Sequence, residues 1–231
     1  MDSTIENYHL KSFSFFDQLS AQERRDIKDR LSRIEYSKGE TVFREKSFPK
    51  GVYIVRKGKI KIFRTSAEGK HSIVYIYKKG DFFGYRPMLG GEPNPVSAKA
   101  IDQAVVSFLP KQDFMALLAK SPTLAGRLLV CLSREFTVWI NKMTTFAQYP
   151  VKGRVAIALL ILNRIYQKDS EDPKAVAIAI NRDDFAGFVG TAKETLVRML
   201  RFFKDEEIIT TKRTKIYILK PKTLLNYVAG I

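Results

Sequence analysis

The spacing of apolar residues divides the chain into a helical start, a strand-rich middle and a helical C-terminal half. Residues 12–35 predict a helix, because apolar side chains recur there at roughly helical intervals. They are Phe13, Phe16, Leu19, Ile27, Leu31 and Ile34. From Gly39 the period becomes two, interrupted by the turn dipeptides Lys57-Gly58 and Glu68-Gly69. Together with the strand-like segment AVVSFLP, these short strands predict a small antiparallel barrel or jelly roll.

The helical period returns after Pro110 and forms a seam of large apolar residues. The seam residues are spaced 4, 4, 3, 4 and 3 apart: Leu128, Leu132, Phe136, Trp139, Met143 and Phe146. This spacing is close to the repeat of a coiled coil, in which a helix pairs with its copy. We therefore expect a dimerisation helix with these residues at its interface, although packing inside one domain would give a similar pattern.

The C-terminal third alternates between helices and short apolar strands. A helix is predicted at Val151–Gln167, where Pro150 suits the first turn. It is followed by the strand AVAIAI, helices at Arg182–Phe188 and Ala192–Asp205, and a basic hairpin in IITTKRTKIYILK. This order is that of a winged helix. The predicted fold class is α+β, with a sensor barrel at 1–123, a dimerisation helix at 124–149 and a winged helix-turn-helix at 150–231.

The segment NRDDFAGFVGTAKETLVRMLRFFKDEEII carries the strongest functional signal. Gly190 stands where a tight turn between two helices needs a residue without a side chain. The second helix places apolar anchors on one face: Leu196, Met199, Leu200 and Phe203. Its other face carries short polar and long charged side chains, the division that a DNA-reading helix requires. Arg198 can donate to guanine and Glu194 can accept from cytosine. An ordinary helical hairpin with a solvated face is the alternative.

Charge and cysteine content narrow the classes of function. The chain has 40 Lys and Arg against 24 Asp and Glu, a net charge of +16, which favours an anionic partner or a solvated basic surface. Cys131 is the only cysteine, so an internal disulfide is excluded. The longest apolar run, Val155–Leu162, is too short to span a bilayer, and the start MDSTIENYHLK has no apolar signal region. We expect a cytoplasmic protein that does not bind membranes.

The sequence resembles the CRP/FNR transcription regulators over nearly its whole length. The matching segments are KGETVF, YIVRKGKIKIF, GDFFG and, above all, VGTAKETLVRMLRFFKDEEII. The resemblance implies a cyclic-nucleotide-binding-type barrel, a homodimer, a palindromic double-stranded DNA operator and the transcription machinery as a further partner. It also implies which residues contact DNA. Lys193, Glu194 and Arg198 would read bases, and Arg182, Thr195 and Thr191 would contact phosphates.

Two residues of the reading helix depart from the family pattern. Ala192 replaces the usual Ser, which removes a phosphate bond. Lys193 replaces the usual Arg, and a lysine lacks the planar fork that binds guanine bidentately.

The same resemblance places an effector pocket in the barrel. Its residues would be Gly84, Tyr85, Arg86, Val96, Ser97, Ala98, Trp139 and Ile140. In cAMP-binding members a Glu follows the glycine and an Arg precedes the Ser-Ala pair, but here these positions hold Tyr85 and Val96. Trp139 and Ile140 stand where two hydroxyl residues face adenine. A cyclic phosphate without its Arg loses a charge-assisted bond of about 1.5–3 kcal/mol. We therefore expect an effector other than cAMP, with Arg86 as a possible replacement cation.

Other cofactors and enzyme activity find no support in the sequence. One cysteine cannot hold an iron–sulfur cluster, and the only histidines, His9 and His71, have no recognisable haem partner. No P-loop, metal-ligand spacing or catalytic constellation is present. Two alternatives remain open beside a DNA-binding regulator. One is a small-molecule-binding module that acts on protein partners, and the other is a nonspecific nucleic-acid-binding protein.

Overall fold

The structure, a computed structural model, describes residues 5–8, 19–167 and 176–229. The helices are α1 (Ala21–Lys28), α2 (Arg86–Gly90), α3 (Lys111–Lys120), α4 (Pro122–Gln148), α5 (Val151–Gln167), α6 (Arg182–Val189), α7 (Lys193–Asp205) and α8 (Pro221–Ala229). The strands are β1 (Ser32–Tyr36), β2 (Thr41–Phe43), β3 (Gly51–Lys57), β4 (Ile60–Thr65), β5 (His71–Tyr77), β6 (Phe82–Phe83), β7 (Ser97–Ala100), β8 (Ala104–Pro110), β9 (Ile209–Lys212) and β10 (Lys215–Ile218).

The described residues form two compact units. The barrel unit contains residues 19–64 and 75–136, and the C-terminal unit contains residues 5–8, 65–74, 137–167 and 176–229. Helix α4 contributes its first part to the barrel unit and its remainder to the C-terminal unit. The boundaries drawn from the sequence after residues 123 and 149 stay predictions.

Two four-stranded sheets build the barrel. One has the strand order β1-β8-β3-β6, and the other has the order β2-β7-β4-β5. Strand β8 lies between β1 and β3 and pairs antiparallel with both. Gly51 allows the close approach of β3 to β8, because a Cβ at this position would lie 2.2 Å from the carbonyl oxygen of Leu109. The predicted α+β architecture with an N-terminal jelly-roll barrel is confirmed.

The helix predicted over residues 12–35 is wrong in its second half. The structure has a short helix α1, which begins with a capping box between Ser20 and Glu23, followed by the strand β1. Ile34 stands at a helical interval from Leu31, but its backbone is paired with Val106 of β8. A run of a few apolar residues fits either period, and pairing with β8 decides for the strand. Phe13 and Phe16 lie outside the described residues.

The barrel core joins the β1-β8-β3-β6 sheet to the surrounding helices. Its buried residues are Leu19, Ile27, Val52, Ile54, Phe82, Tyr85, Met88, Leu109, Phe114, Leu117, Leu124 and Leu128. Aromatic rings stack inside it, with centroids 4.9 Å apart for Phe82 and Tyr85. Leu128 of α4 belongs to this core and is only 3% exposed. Its side chain is therefore already packed, which argues against its predicted place in a dimer interface.

The C-terminal unit is built around α5, which is buried all along the run Val155–Leu162. Helices α6 and α7 pack against α5, and β9 and β10 form a hairpin. The prediction of a strand in AVAIAI is wrong for its described residues, 176–180, which make a single bridge between Ile178 and Ile216. The polar loop predicted at 168–174 lies outside the described residues. The winged helix-turn-helix order is otherwise as predicted.

We also searched the described helices for membrane spans. None of them alone is long and apolar enough to cross a bilayer. The pair α3 and α4, bent by 110° where they meet, passes the test only as a pair and only by length and composition.

The carboxyl group of Glu135 is buried in the barrel unit, and its hydrogen bonds do not fully replace those it would make with water. Glu135 of α4 is 3% exposed, and its Oε1 has no hydrogen-bond partner. Burial raises the pKa of the Glu135 carboxyl from 4.5 to about 7, against the opposing effects of the Tyr85 hydroxyl and the Arg86 charge. Sγ of Cys131 lies 3.7 Å from the Tyr85 hydroxyl and is the second acceptor within reach of its single proton. The folded barrel therefore makes the Glu135 carboxyl harder to ionise than a carboxyl group in water.

We predict that Glu135→Gln makes the protein more stable at pH 8 and leaves its stability unchanged at pH 4.5. Because the pKa is higher in the folded state, the stability contributed by neutral Glu135 is complete below pH 4.5 and is lost as pH rises through 7. The amide cannot ionise, so the gain at pH 8 should reach up to about 3 kcal/mol. Urea unfolding at both pH values measures it.

The matched control for this prediction is Glu92→Gln, because Glu92 is an exposed carboxylate of the same unit. The Glu92→Gln variant should not show the gain in stability at pH 8, because the Glu92 side chain is exposed to solvent. A constant difference between Glu135→Gln and the unmodified protein from pH 4.5 to 8 would show that Glu135 is ionised in the folded barrel.

Candidate functional site

Helix α7 separates apolar and polar side chains onto opposite faces. Leu196, Leu200 and Phe203 are buried in the C-terminal unit, which fixes the orientation of the helix. Lys193, Glu194 and Arg198 are exposed on the other side, and Thr191 and Thr195 are half-buried beside them. Glu194 and Arg198 are four residues apart and therefore lie on one helix face. The structure thus brings together the residues predicted to read DNA.

The turn before α7 is held by its backbone and by one arginine. Gly190 ends α6 with a φ of 69°, a left-handed conformation that glycine adopts without steric cost. The Nη1 atom of Arg154 donates to the carbonyl oxygens of Val189, at 3.3 Å, and Gly190, at 3.0 Å. Ala192 is the N-cap residue of α7 and makes no side-chain cap. The first backbone N–H groups of α7 are therefore left available to an external acceptor.

Basic side chains occur at the start of α6, at the start of α7 and in the β9–β10 hairpin. Arg182, the first residue of α6, is half-buried, and burial lowers the pKa of its guanidinium. The Nζ atom of Lys193 lies 3.0 Å from the Asp183 carboxylate, an exposed ion pair that restrains the lysine only weakly. The site prediction omitted the exposed basic residues of the β9–β10 hairpin, although the run TTKRTK signalled them. They are Lys212, Arg213 and Lys215.

The segment of residues 65–74, which we call the β4–β5 tip, packs on the helix-turn-helix inside the C-terminal unit. A Cβ at Gly187 of α6 would lie 2.2 Å from the carbonyl oxygen of His71, so only glycine permits this approach. At the end of the tip, Lys70 donates to Glu68 at 2.8 Å. This hydrogen bond raises the pKa of Lys70, and the charge of Glu194 raises it further. The tip therefore carries a cation close enough to α7 for the charge of Glu194 to act on it.

Lys142 of α4 binds the β4–β5 tip through hydrogen bonds. The sequence analysis did not identify this residue. Its Nζ donates to the carbonyl oxygens of Val74, at 2.8 Å, and Ile73, at 3.3 Å. The ammonium also lies 4.1 Å from the centroid of the Phe188 ring. Burial lowers the pKa of Lys142 from 10.5 to about 7. A lysine that bonds backbone carbonyls has no sequence signature, because any residue supplies a carbonyl.

The barrel unit contains a cavity of about 730 Å³, which we call the barrel cavity. Four residues predicted for the effector pocket line it: Gly84, Tyr85, Arg86 and Val96. Ser97 and Ala98 are not among its lining residues. The Ser97 hydroxyl accepts a hydrogen bond from the backbone N–H of Glu45, and Ala98 is fully buried in β7. Both are therefore committed to the barrel framework.

The two remaining predicted pocket residues belong to the C-terminal unit. Trp139 lines a small cavity of about 200 Å³ there, together with Lys142 and Phe188. Ile140 is 42% exposed. Among residues 5–8, 19–167 and 176–229, no group of three or more His, Cys, Asp or Glu side chains could hold a metal ion.

Helix α4 exposes a second apolar stripe, which we call the α4 face. It consists of Leu129, Phe136, Ile140 and Met143, exposed by 67%, 68%, 42% and 66%. Of the residues predicted for the dimer interface, Phe136 and Met143 lie on this face. Leu132, Trp139 and Phe146 are half-buried. Leu129, Phe136 and Met143 recur at the interval of a heptad seam, because residues seven apart are about two helical turns apart.

Comparison with known proteins agrees with this arrangement. Residues 33–121 match the cyclic nucleotide-binding domain, and residues 153–227 match the Crp-like helix-turn-helix domain. The transcriptional activator protein Anr of Pseudomonas protegens is 26% identical over 84% of this chain and 79% of its own length. The cyclic AMP receptor protein of Thermus thermophilus is 25% identical over 78% of this chain and 80% of its own length.

Solved structures show the same fold. FixK2 from Bradyrhizobium japonicum superposes with a TM-score of 0.76 at 20% identity, over 85% of this chain and 96% of its own. The two matching domains occur in one chain and in the order that the sequence predicted. The chain therefore belongs to the CRP/FNR family and is a DNA-binding transcription regulator of that type.

Proposed function

We propose that this protein acts as a homodimer, recognises a palindromic DNA sequence and responds to an effector other than cAMP. The observation that carries the proposal is the exposed side of α7, where Lys193, Glu194 and Arg198 stand clear of the buried anchors. A basic residue and a carboxylate on one helix face can read different bases in a major groove. Nonspecific binding comes from cations that neutralise the phosphates. A carboxylate facing the phosphates would weaken such binding, so Glu194 favours base recognition.

The α4 face supports the homodimer. Large apolar side chains at 129, 136, 140 and 143 are more exposed than a stable monomer usually tolerates on one helix. Their spacing alternates between four and three residues from 136 to 143, as in the seam of paired helices. Two copies joined along α4 would present two reading helices, as a palindromic operator requires. The half-sites would then be about one helical turn, roughly 34 Å, apart.

The barrel cavity supports an effector other than cAMP. One relative is named a cyclic AMP receptor protein, so cAMP is the ligand to weigh first. In this chain the cavity is lined by Tyr85 and Val96, where the family resemblance places the Glu and Arg of a cAMP site. Val96 offers a phosphate no charge, and Tyr85 is 1% exposed with its hydroxyl engaged by Cys131 and Glu135. A phosphate beside Val96 would therefore lack the charge-assisted bond that the family's Arg supplies at that position.

We predict that Phe136→Glu converts the dimer into monomers and abolishes operator binding. The substitution places two carboxylates opposite each other in an apolar seam, where neither can be solvated or paired. Sedimentation at micromolar protein concentration measures the association state, and gel shifts measure operator binding.

The control is Phe48→Glu, because Phe48 is 69% exposed, almost the same as Phe136, but lies on a barrel loop. This variant should remain dimeric. An unmodified protein that sediments as a monomer would overturn the proposed dimer, and a dimeric Phe136→Glu variant would place the interface elsewhere.

We predict that Arg198→Ala reduces affinity for the operator by about 1–3 kcal/mol and relaxes base preference at one position per half-site. The loss should be much smaller on random DNA, because base contacts supply specificity. Arg182→Ala should weaken both DNAs alike and reduce the dependence of binding on salt, because phosphate contacts release counterions.

The measurement is a titration of both variants on operator and random DNA at two salt concentrations. The two arginines serve as controls for each other, since each substitution removes one positive charge from the same domain. Equal weakening of operator and random DNA by Arg198→Ala would contradict its base-reading role. Failure of the unmodified protein to prefer any palindrome would favour a regulatory module that acts on protein partners.

A further inference from the structure

The walls of the barrel cavity are apolar and largely aromatic. Tyr77, Phe83 and Tyr85 line it and are 6%, 1% and 1% exposed, so their rings are held by the surrounding core. The Tyr77 and Phe83 rings stack with centroids 4.7 Å apart. Ile62, which is buried, and Leu132, which is half-buried, also line the cavity. Such a wall offers few hydrogen bonds to the polar edges of a purine and a ribose, and each buried polar group without a partner costs free energy.

The charged residues of the cavity stand at its exposed mouth, and cations predominate. Lys46, Arg64 and Arg86 are the cations, and Glu45 and Glu92 are the anions. Glu45 lies 3.4 Å from Arg64 and compensates part of that charge. The mouth therefore retains a net positive charge next to an apolar interior. A ligand that matches both features has an apolar body and one anionic head.

The two chain segments at the mouth of the cavity are held together by hydrogen bonds. Asn94 is 3% exposed, and its side-chain nitrogen donates to the Ser47 hydroxyl at 3.2 Å. The backbone N–H of Lys46 donates to the Asn94 carbonyl at 2.8 Å, and the N–H of Asn94 donates to the Ser47 carbonyl at 2.8 Å. These bonds fix the segment that carries Lys46 against the proline-rich segment that carries Val96. A preformed mouth reduces the entropy lost on binding.

We propose that the barrel cavity binds an amphipathic organic acid, with its alkyl or aromatic body between the buried rings and its anionic head at Lys46, Arg64 and Arg86. The inference rests on the proposed function insofar as this acid would be the effector of the regulator. The cavity volume of about 730 Å³ lies within the range of small-molecule sites, roughly 300–1,000 Å³. A carboxylate gains charge-assisted bonds from the mouth, which a neutral head of equal size does not.

The test is calorimetric titration of the full-length protein with a matched set of probes. Decanoate should bind one per chain with a dissociation constant on the order of 10–100 µM. Octanoate should bind about tenfold more weakly, because two fewer methylenes are buried. Decanamide, which has the same chain and a neutral head, should bind about fivefold more weakly than decanoate. Cyclic AMP should bind more weakly than decanoate.

Two variant pairs locate the site. Leu89 lines the cavity and Met115 does not, and both are 39% exposed in the barrel unit. Leu89→Asp should abolish decanoate binding, because it adds an anion beside the bound head, and Met115→Asp should leave it unchanged. Arg86→Gln should weaken decanoate about three- to tenfold without affecting decanamide. Lys79→Gln, an exposed cation away from the cavity, should affect neither probe.

The outcomes separate the ligand class from the proposed function. Absence of decanoate binding, equal affinity for decanamide, tighter binding of cAMP, or equal effects of Leu89→Asp and Met115→Asp would each overturn the organic acid. Unchanged melting curves and operator binding without ligand verify that the variants are folded, and Lys46→Gln replaces Arg86→Gln if the latter is not. If the protein binds a palindrome but not decanoate, only the proposed ligand class is wrong. If it binds decanoate but no DNA, only the proposed DNA function is wrong.

Discussion

The rest of the structure depends on how helix α4 divides its apolar residues between two sides. Leu124 and Leu128 are buried in the barrel core, and Leu132 packs against that core and lines the barrel cavity. On the other side of the helix, Leu129 and Phe136 are about two-thirds exposed. A helix with an apolar stripe on each side is stable only when both are covered. The core covers the first, and the proposed second copy would cover the other.

This division explains which predictions from the sequence succeeded. Helix α7 and its orientation were predicted well, because its buried and exposed residues differ in chemical type: Leu196 and Phe203 are inside, and Glu194 and Arg198 are outside. The seam of α4 was harder, because all its residues are apolar. The 4-4-3-4-3 spacing combined Leu128, which is in the barrel core, with Phe136 and Met143, which are on the α4 face. Periodicity locates an apolar residue on a helix but does not identify what covers it.

Other features depend on contacts between distant parts of the chain, which local pattern does not contain. Ser32–Tyr36 is a strand because β8, some seventy residues later, pairs with it. Glu135 has the character of a surface residue in the sequence, yet it is buried beside Tyr85. Gly187 was read as one more residue of a short helix, and the His71 carbonyl gives the reason for its missing side chain. In each case the deciding partner is more than thirty residues away.

The same helix also joins the barrel cavity to the proposed dimer interface. Leu132 lines the barrel cavity, and Phe136, one turn later, is on the α4 face. A ligand beside Leu132 can therefore act on the helix that carries the proposed interface without any further element between them. Such a ligand shifts the association of two copies only by the difference between its affinities for the two states. The rings of Tyr77, Phe83 and Tyr85 are buried, whereas Leu132 is half-buried, so the helix side is the less tightly packed wall of the cavity. Glu135 lies on that side, three residues from Leu132 and within hydrogen-bond reach of Tyr85, so the Tyr85 hydroxyl connects the cavity wall to α4.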